Sequence, residues 1–316
     1  MKLINYTKHG VTRAAAIVDE KVIDLNYAYQ ALLKNEGKYR YEAIAAAYVP
    51  ATTDELYQGG KESIALARQA VDFALANENQ LVYETIYAIS DVKVEAPVIK
   101  PGKIICVGHN FRTHILEMGR EIPSNPVIFA KFANTILGPQ DDVPFFLISE
   151  QLDYEAEFTF VVGKQARNVS EENALDYVAG YTITNDVTYR DLQRRTIEWL
   201  QGKTVDGTAP MGPYLVTADE IPNPSGLAMK LTVNGEVRQQ SNTDDFVFSV
   251  PKLVAFLSSI LTLEPGDVIL TGTPGGVGVA MDPPQFLKNG DVVEITVEQI
   301  GTLSNTIRKV SELVII

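Results

Sequence analysis

After residue 100 the chain becomes a succession of short β-branched and aromatic runs with one clear helix among them, and that pattern excludes most architectures of this size. The runs are IICVG (104–108), VIFAKF (127–132), DYEAEFTFVVG (153–163), VAGYTITND (178–186), LAMKLTVNGEVRQ (227–239), DVILTG (267–272) and DVVEITVEQIGTLSNTI (291–307). Turn residues bound them, as they bound strands. VNGE sets Asn234-Gly235 at a hairpin turn. The helix, SVPKLVAFLSSIL, has Ser249 as its N-cap and Pro251 in its first turn. A doubly wound parallel sheet needs a helix between successive strands, which this spacing does not supply. Neither GxGxxG nor GxxxxGKS/T occurs, so the usual dinucleotide and P-loop cradles have no support.

The first hundred residues read differently. Residues 3–7, 14–19 and 21–25 form short apolar runs that predict a small antiparallel sheet. From Tyr27 to about Asn77, apolar residues recur at three and four, punctuated by Pro50 and Gly59-Gly60, which predicts helices. EAPVIKPG (95–102) marks the change of character. The expectation is a strand-rich α+β protein with a small N-terminal α+β domain over residues 1–100 and a larger domain over 101–316.

Forty acidic residues stand against 27 basic ones, a formal charge of −13, which repels nucleic acid and anionic membrane. A small anionic substrate then needs a local cation. Cys106 is the only cysteine, so no intrachain disulfide or zinc knuckle can form. The start, MKLINYTKHG, lacks the apolar core of a secretory signal, and the longest apolar run, Leu253 to Leu263, is too short to span a bilayer. The chain reads as cytoplasmic.

The strongest chemical signal is LDYEAEFTF, where strand alternation puts Glu155 and Glu157 on one face about 7 Å apart. Two carboxylates in an apolar strand are costly unless something positive sits between them; the plainer reading is an edge strand with a solvated face. Asp186 is a third acid, closing the β-branched run YTITND. Three oxygen donors suit a hard cation, Mg²⁺ best, with Mn²⁺ the other candidate. Spacing alone does not bring Glu155 and Asp186 together.

GHNFRTHILEMG leaves a strand and enters a short helix, making His114 and Glu117 i,i+3 neighbours. The carboxylate would orient the imidazole as a base, although spacing alone favours a surface ion pair. His109 reads as structural and Arg112 as solvent-facing. Lys203 lies in WLQGKTVDGTAPMGP, read as a constrained loop where a lysine meets an anion or an enolate, or is simply exposed. TGTPGGVG, containing Gly272 and Thr273, lets backbone N–H groups approach an anion.

In this order, IICVGHNFRTHILEMG, LDYEAEF, AGYTITNDVTYRDLQRR, GKTVDGTAPMGP, LTVNGEVRQ and ILTGTPGGVG followed by FLKNGDVVEITVEQIGTLSN resemble the fumarylacetoacetate hydrolase superfamily over residues 100–310. The resemblance implies a mixed β-roll with flanking helices, normally a homodimer. It implies Glu155, Glu157 and Asp186 as divalent-metal ligands, usually of Mg²⁺, and His114 with Glu117 as a dyad on a lid. Lys203 matches the active-site lysine, Gln193 a polar substrate contact, and Thr273, beside Gly272, the hydroxyl that binds substrate carboxylate. Arg190 and Lys131 match frequent basic positions. His109 stands where leucine or arginine is more usual and Phe111 where tyrosine is common; both adjoin the lid.

The activity so implied is metal-dependent C–C bond hydrolysis of acylpyruvate-type β-diketo acids, of the fumarylpyruvate or acylpyruvate class, through a pyruvate enolate. Oxaloacetate decarboxylation and 2-hydroxyhepta-2,4-diene-1,7-dioate isomerisation or decarboxylation use nearly the same residues. A reading of another class is a non-catalytic keto-acid-binding or scaffold protein.

Overall fold

The computed structural model describes residues 1–81 and 84–310. The expected N-terminal meander is present as β1 (Lys2–Lys8), β2 (Val11–Val18) and β3 (Lys21–Asp24). Asp24 then starts α1 (Leu25–Asn35) by accepting the Tyr27 N–H at 2.8 Å. The helical region resolves into α1, α2 (Tyr41–Tyr48), α3 (Thr53–Gln58) and α4 (Gly60–Ala76). Two short strands, β4 (Ile86–Ala88) and β5 (Lys93–Glu95), return beside β3 and β1.

Beyond residue 100 come β6 (Ile104–Gly108), α5 (Arg112–Glu117), β7 (Val127–Lys131), β8 (Ile136–Leu137) and β9 (Val143–Phe145). The acidic segment supplies β10 (Leu152–Asp153) and β11 (Ala156–Val162), followed by β12 (Val178–Asn185) and β13 (Thr188–Tyr189). Two single-turn helices, α6 (Arg190–Gln193) and α7 (Leu200–Lys203), precede β14 (Ala209–Thr217). The hairpin β15 (Ala228–Val233) and β16 (Glu236–Asn242) turns at Asn234-Gly235, both with positive φ, as a two-residue connection requires. Then follow α8 (Val250–Ile260), capped by Ser249, β17 (Val268–Leu270), β18 (Val292–Val297) and β19 (Gly301–Lys309).

The main sheet runs β4-β3-β2-β1-β14-β12-β11-β17-β6-β7, and a second sheet runs β16-β15-β18-β19-β9. The sheet crosses residue 100, because β1 pairs antiparallel with β14 through Leu3 and Leu215. Strand alternation sorts the main sheet's side chains into two apolar layers. Ile105, Val107, Phe158 and Phe160 face Leu231, Ile295 and Leu303 of the second sheet, with α8 residues beside them. Ile104, Cys106 and Val161 face the other way, onto the N-terminal helices. A sheet covered on both faces has no solvated side on which to leave acids. Among the described residues no helix is long and apolar enough to cross a membrane.

Parallel pairing of β6 with β17 ends both strands at one edge of the sheet. Asn110 ties the segments that follow them: its amide donates to the carbonyls of Thr271 at 2.8 Å and Phe248 at 3.1 Å, and its oxygen accepts the Phe248 N–H at 2.7 Å. Asn110→Ala strands three backbone groups, so equilibrium denaturation should show a loss of about 2–4 kcal/mol; a loss below about 0.5 kcal/mol would mean these bonds do not hold the edge together.

Candidate active site

The three acids meet because of strand register. Glu155 precedes β11 and Asp186 follows β12, and these antiparallel neighbours pair Ala156 with Asn185. The Asp186 N–H donates to the Glu155 carbonyl at 2.9 Å, and the Glu155 N–H to the Asn185 side chain at 3.0 Å. One carboxylate oxygen from each of Glu155, Glu157 and Asp186 lies within 4.8 Å of the others, and all three residues are buried. The solvated edge strand weighed from sequence is thus replaced by an interior cluster.

Three buried cations compensate it. Lys203 Nζ lies 2.8 Å from Glu155 and 2.6 Å from Asp186. Lys131 Nζ donates to Asp186 at 2.9 Å, and Arg190 bridges Asp153 at 2.7 Å and Glu155 at 2.6 Å. Burial would raise Glu155, but Lys203 and Arg190 outweigh it and hold the carboxyl down at about 2. Burial also opposes the charge on Lys203, yet Asp186 and Glu155 keep the ammonium above its ordinary value. Glu157 is different: its contact is the Gly272 N–H, at 2.6 Å. Burial, Asp186 and Glu155 push its carboxyl well above the usual range. A buried carboxylate without a cation must take up a proton or a metal, and hard oxygen donors suit Mg²⁺ or Mn²⁺. The residues therefore fit a divalent ion.

The wall opposite is α5 and the glycine-rich segment after β17. His114 Nδ1 lies 3.4 Å from Glu117, whose oxygens accept the Gly276 N–H at 2.9 and 3.1 Å. A carboxylate partner places the hydrogen on Nδ1 and leaves Nε2 as the basic nitrogen. Gly276, at φ +98°, passes so close to the Arg238 carbonyl that a Cβ would sit 1.9 Å from it, so only glycine fits. Thr273 accepts from Gln239 Nε2 at 2.8 Å, which turns its own hydroxyl hydrogen away from that contact.

Between these walls lies a cavity of about 230 Å³ lined by Glu155, Glu157, Arg190, Gln193, Lys203, His114 and Thr273, with Phe129 and Trp199 as apolar wall. Arg190 Nη2 is buried without a partner among the described residues. The structure thus gathers these sequence candidates in one place. Gly272 spends its N–H on Glu157, and Lys203 sits at the end of a helical turn, buried, where the sequence suggested a loop or an exposed lysine. Arg112 turns back onto the carbonyl of Phe246 at 2.6 Å. Two residues escaped sequence reasoning. Asp153 accepts Arg190 and the N–H groups of Gly278 and Val279, and Gln239 joins the Ala156 N–H to Thr273. Asp153 begins the acidic segment and Gln239 ends the hairpin segment already singled out, which is the signal that marked them.

Residues 103–308 match the family described as fumarylacetoacetate (FAA) hydrolase C-terminal. The chain is 43% identical to oxaloacetate tautomerase YisK of Bacillus subtilis (strain 168), over 92% of this chain and 94% of that protein. It is 40% identical to the human mitochondrial oxaloacetate tautomerase FAHD2A, over 82% and 80% respectively. Among solved structures, a fumarylacetoacetate hydrolase from psychrophilic Exiguobacterium antarcticum superposes with a TM-score of 0.78 at 32% identity, covering 98% of this chain and 100% of that one. Maleylpyruvate hydrolase from Sphingobium sp. SYK-6, in complex with manganese(II) ion and pyruvate, gives 0.73 at 27%, covering 98% and 99%.

Mn²⁺ at a hundredfold excess over its Kd should stabilise the protein by about 2.7 kcal/mol in thermal unfolding. Glu157→Gln keeps the Gly272 bond while removing the need to take up a proton or a metal, so it should raise the melting temperature of the metal-free protein and remove most of the Mn²⁺ effect. An undiminished Mn²⁺ effect in that variant would place the metal elsewhere.

Proposed function

Because the chain belongs to the fumarylacetoacetate hydrolase family, we propose that it interconverts the keto and enol forms of a small 2-oxo dicarboxylic acid of the oxaloacetate class. The observation that carries this reading is one cavity with a compensated acid cluster and an unpartnered Arg190 N–H at one side and a carboxylate-oriented histidine at the other. The names of the relatives matched over most of the chain supply the substrate class.

Glu155, Glu157 and Asp186 would hold a divalent cation, Mg²⁺ or Mn²⁺, which when bound polarises the 2-oxo group and favours negative charge on its oxygen. Arg190 Nη2 and the Thr273 hydroxyl donate to the adjacent substrate carboxylate and fix its orientation. Gln193, whose amide oxygen accepts from Arg190 at 3.1 Å, keeps its amide donors for the substrate. His114 Nε2 takes a proton from C3; the C–H electron pair becomes the C2–C3 π bond and the charge passes to the carbonyl oxygen. Return of the proton to that oxygen completes the enol, and the reverse steps regenerate the keto acid. Lys203 and Arg190 hold Glu155 ionised, so that carboxylate does not take the proton itself.

Hydrolysis of acylpyruvates is the second reading, favoured by the likeness to maleylpyruvate hydrolase. There His114 takes its proton from water, the hydroxide adds to the distal carbonyl, and the C–C bond breaks to leave the same kind of enolate. Decarboxylation of oxaloacetate reaches that enolate with loss of CO₂ in place of water attack.

The test follows enol absorbance of oxaloacetate, and acylpyruvate consumption in parallel, with Mn²⁺ present. His114→Ala should slow tautomerisation by about 10²- to 10⁴-fold with unchanged folding, and chelation should abolish it reversibly. Wild-type protein that leaves the spontaneous rate unchanged would remove the tautomerase reading, and acylpyruvate turnover in its place would install the second.

A further inference from the structure

The cavity carries a cation that the proposed chemistry does not use. Arg120 lines the same space as Glu155 and Arg190 but projects from the segment just after α5, at the exposed mouth. Its position is set by the helix end, where the Gly119 N–H bonds the Leu116 carbonyl and the Arg120 N–H the Ile115 carbonyl, each at 3.0 Å. Among the described residues Arg120 makes no ion pair, in a chain where 40 acids outnumber 27 bases. The contact it does make is Nη1 to His109 Nε2, at 3.0 Å. Burial, Arg120 and His114 push the His109 imidazole down to about 4, so the ring is neutral and accepts from the guanidinium. The ring itself packs edge-on to Trp199 at 5.4 Å, and Trp199 closes over Gly108, where a Cβ would meet it at 2.7 Å. An arginine is thus propped over an anion-sized cavity by a neutral histidine, with most of its five N–H donors unspent.

We propose that Arg120, positioned by His109, binds the second carboxylate of the substrate and makes this site selective for 2-oxo dicarboxylates over 2-oxo monocarboxylates. This rests on the enolisation reading for the identity of the first carboxylate and 2-oxo group, which lie at the Arg190 and acid-cluster side. A planar guanidinium recognises a carboxylate through paired N–H bonds. At the mouth it also offers an anion a local attraction within a field of −13. His109 therefore acts through Arg120, and its replacement by leucine would leave the guanidinium free to swing away.

Affinities of the Mn²⁺-loaded protein for oxaloacetate and for 2-oxobutanoate, in which a methyl group replaces the distal carboxylate, decide the matter by calorimetry. Arg120→Gln should weaken oxaloacetate by about 10- to 100-fold while 2-oxobutanoate binds as before, which also reports an intact fold. His109→Leu should move the same ratio in the same direction by a smaller factor. Equal losses for both ligands, an unchanged ratio, wild-type protein with no preference for oxaloacetate, or a preference erased by Arg194→Gln and not by Arg120→Gln would each overturn the assignment. Failure of enolisation is seen separately, as wild-type protein that binds oxaloacetate without accelerating its tautomerisation.

Discussion

Everything in this structure is arranged around the antiparallel pairing of β11 with β12, because that register drives three carboxylates into the interior of a sheet covered on both faces. The cost of burying them is offset by Lys203, Lys131 and Arg190, each reaching in from a different part of the chain. Glu155 is shared by Lys203 and Arg190, and Asp186 by Lys203 and Lys131, so the charges form one linked network in which Lys203 is the common member. Glu157 is the member left open, and that opening is what distinguishes a metal-ready centre from a purely structural ion-pair network.

The second organising relation is the parallel pair β6 and β17, which delivers two chain segments to one edge. One becomes α5 with its histidine; the other becomes the glycine-rich wall. Asn110 fastens them to each other and to the start of α8. The five-stranded sheet contributes through Gln239, which reaches from β16 to the backbone of β11 and to Thr273. The walls of the cavity therefore come from elements far apart in sequence, held by side-chain to backbone bonds rather than by extended secondary structure.

Much of this was legible in the sequence, for identifiable reasons. Strand alternation placed Glu155 and Glu157 on one face, helical spacing paired His114 with Glu117, and Asn-Gly marked the β15–β16 hairpin. Periodicity reports which way a side chain faces, however, and not which strand lies next to it. The meeting of Glu155 with Asp186 depends on strand register, and the Arg190 bridge to Asp153 depends on the short β10–β13 ladder. Lys203 read as part of a constrained loop because a single helical turn has too few residues to show a period, and its burial could not be seen from spacing. Arg120 and His109 were separated by eleven positions and a helix, so nothing in their spacing announced the contact between them.

Glu117 deserves its place for a reason beyond orienting an imidazole. Its oxygens accept the Gly276 N–H from the glycine-rich segment beside α5 while one of them approaches His114 on its own helix. One carboxylate therefore both fastens α5 to the glycine-rich segment and selects the tautomer of His114. The arrangement works as an interlock: the carboxylate that fixes the imidazole is the one that ties its helix to the neighbouring segment, so in the proposed reaction the base would be oriented only while that tie holds.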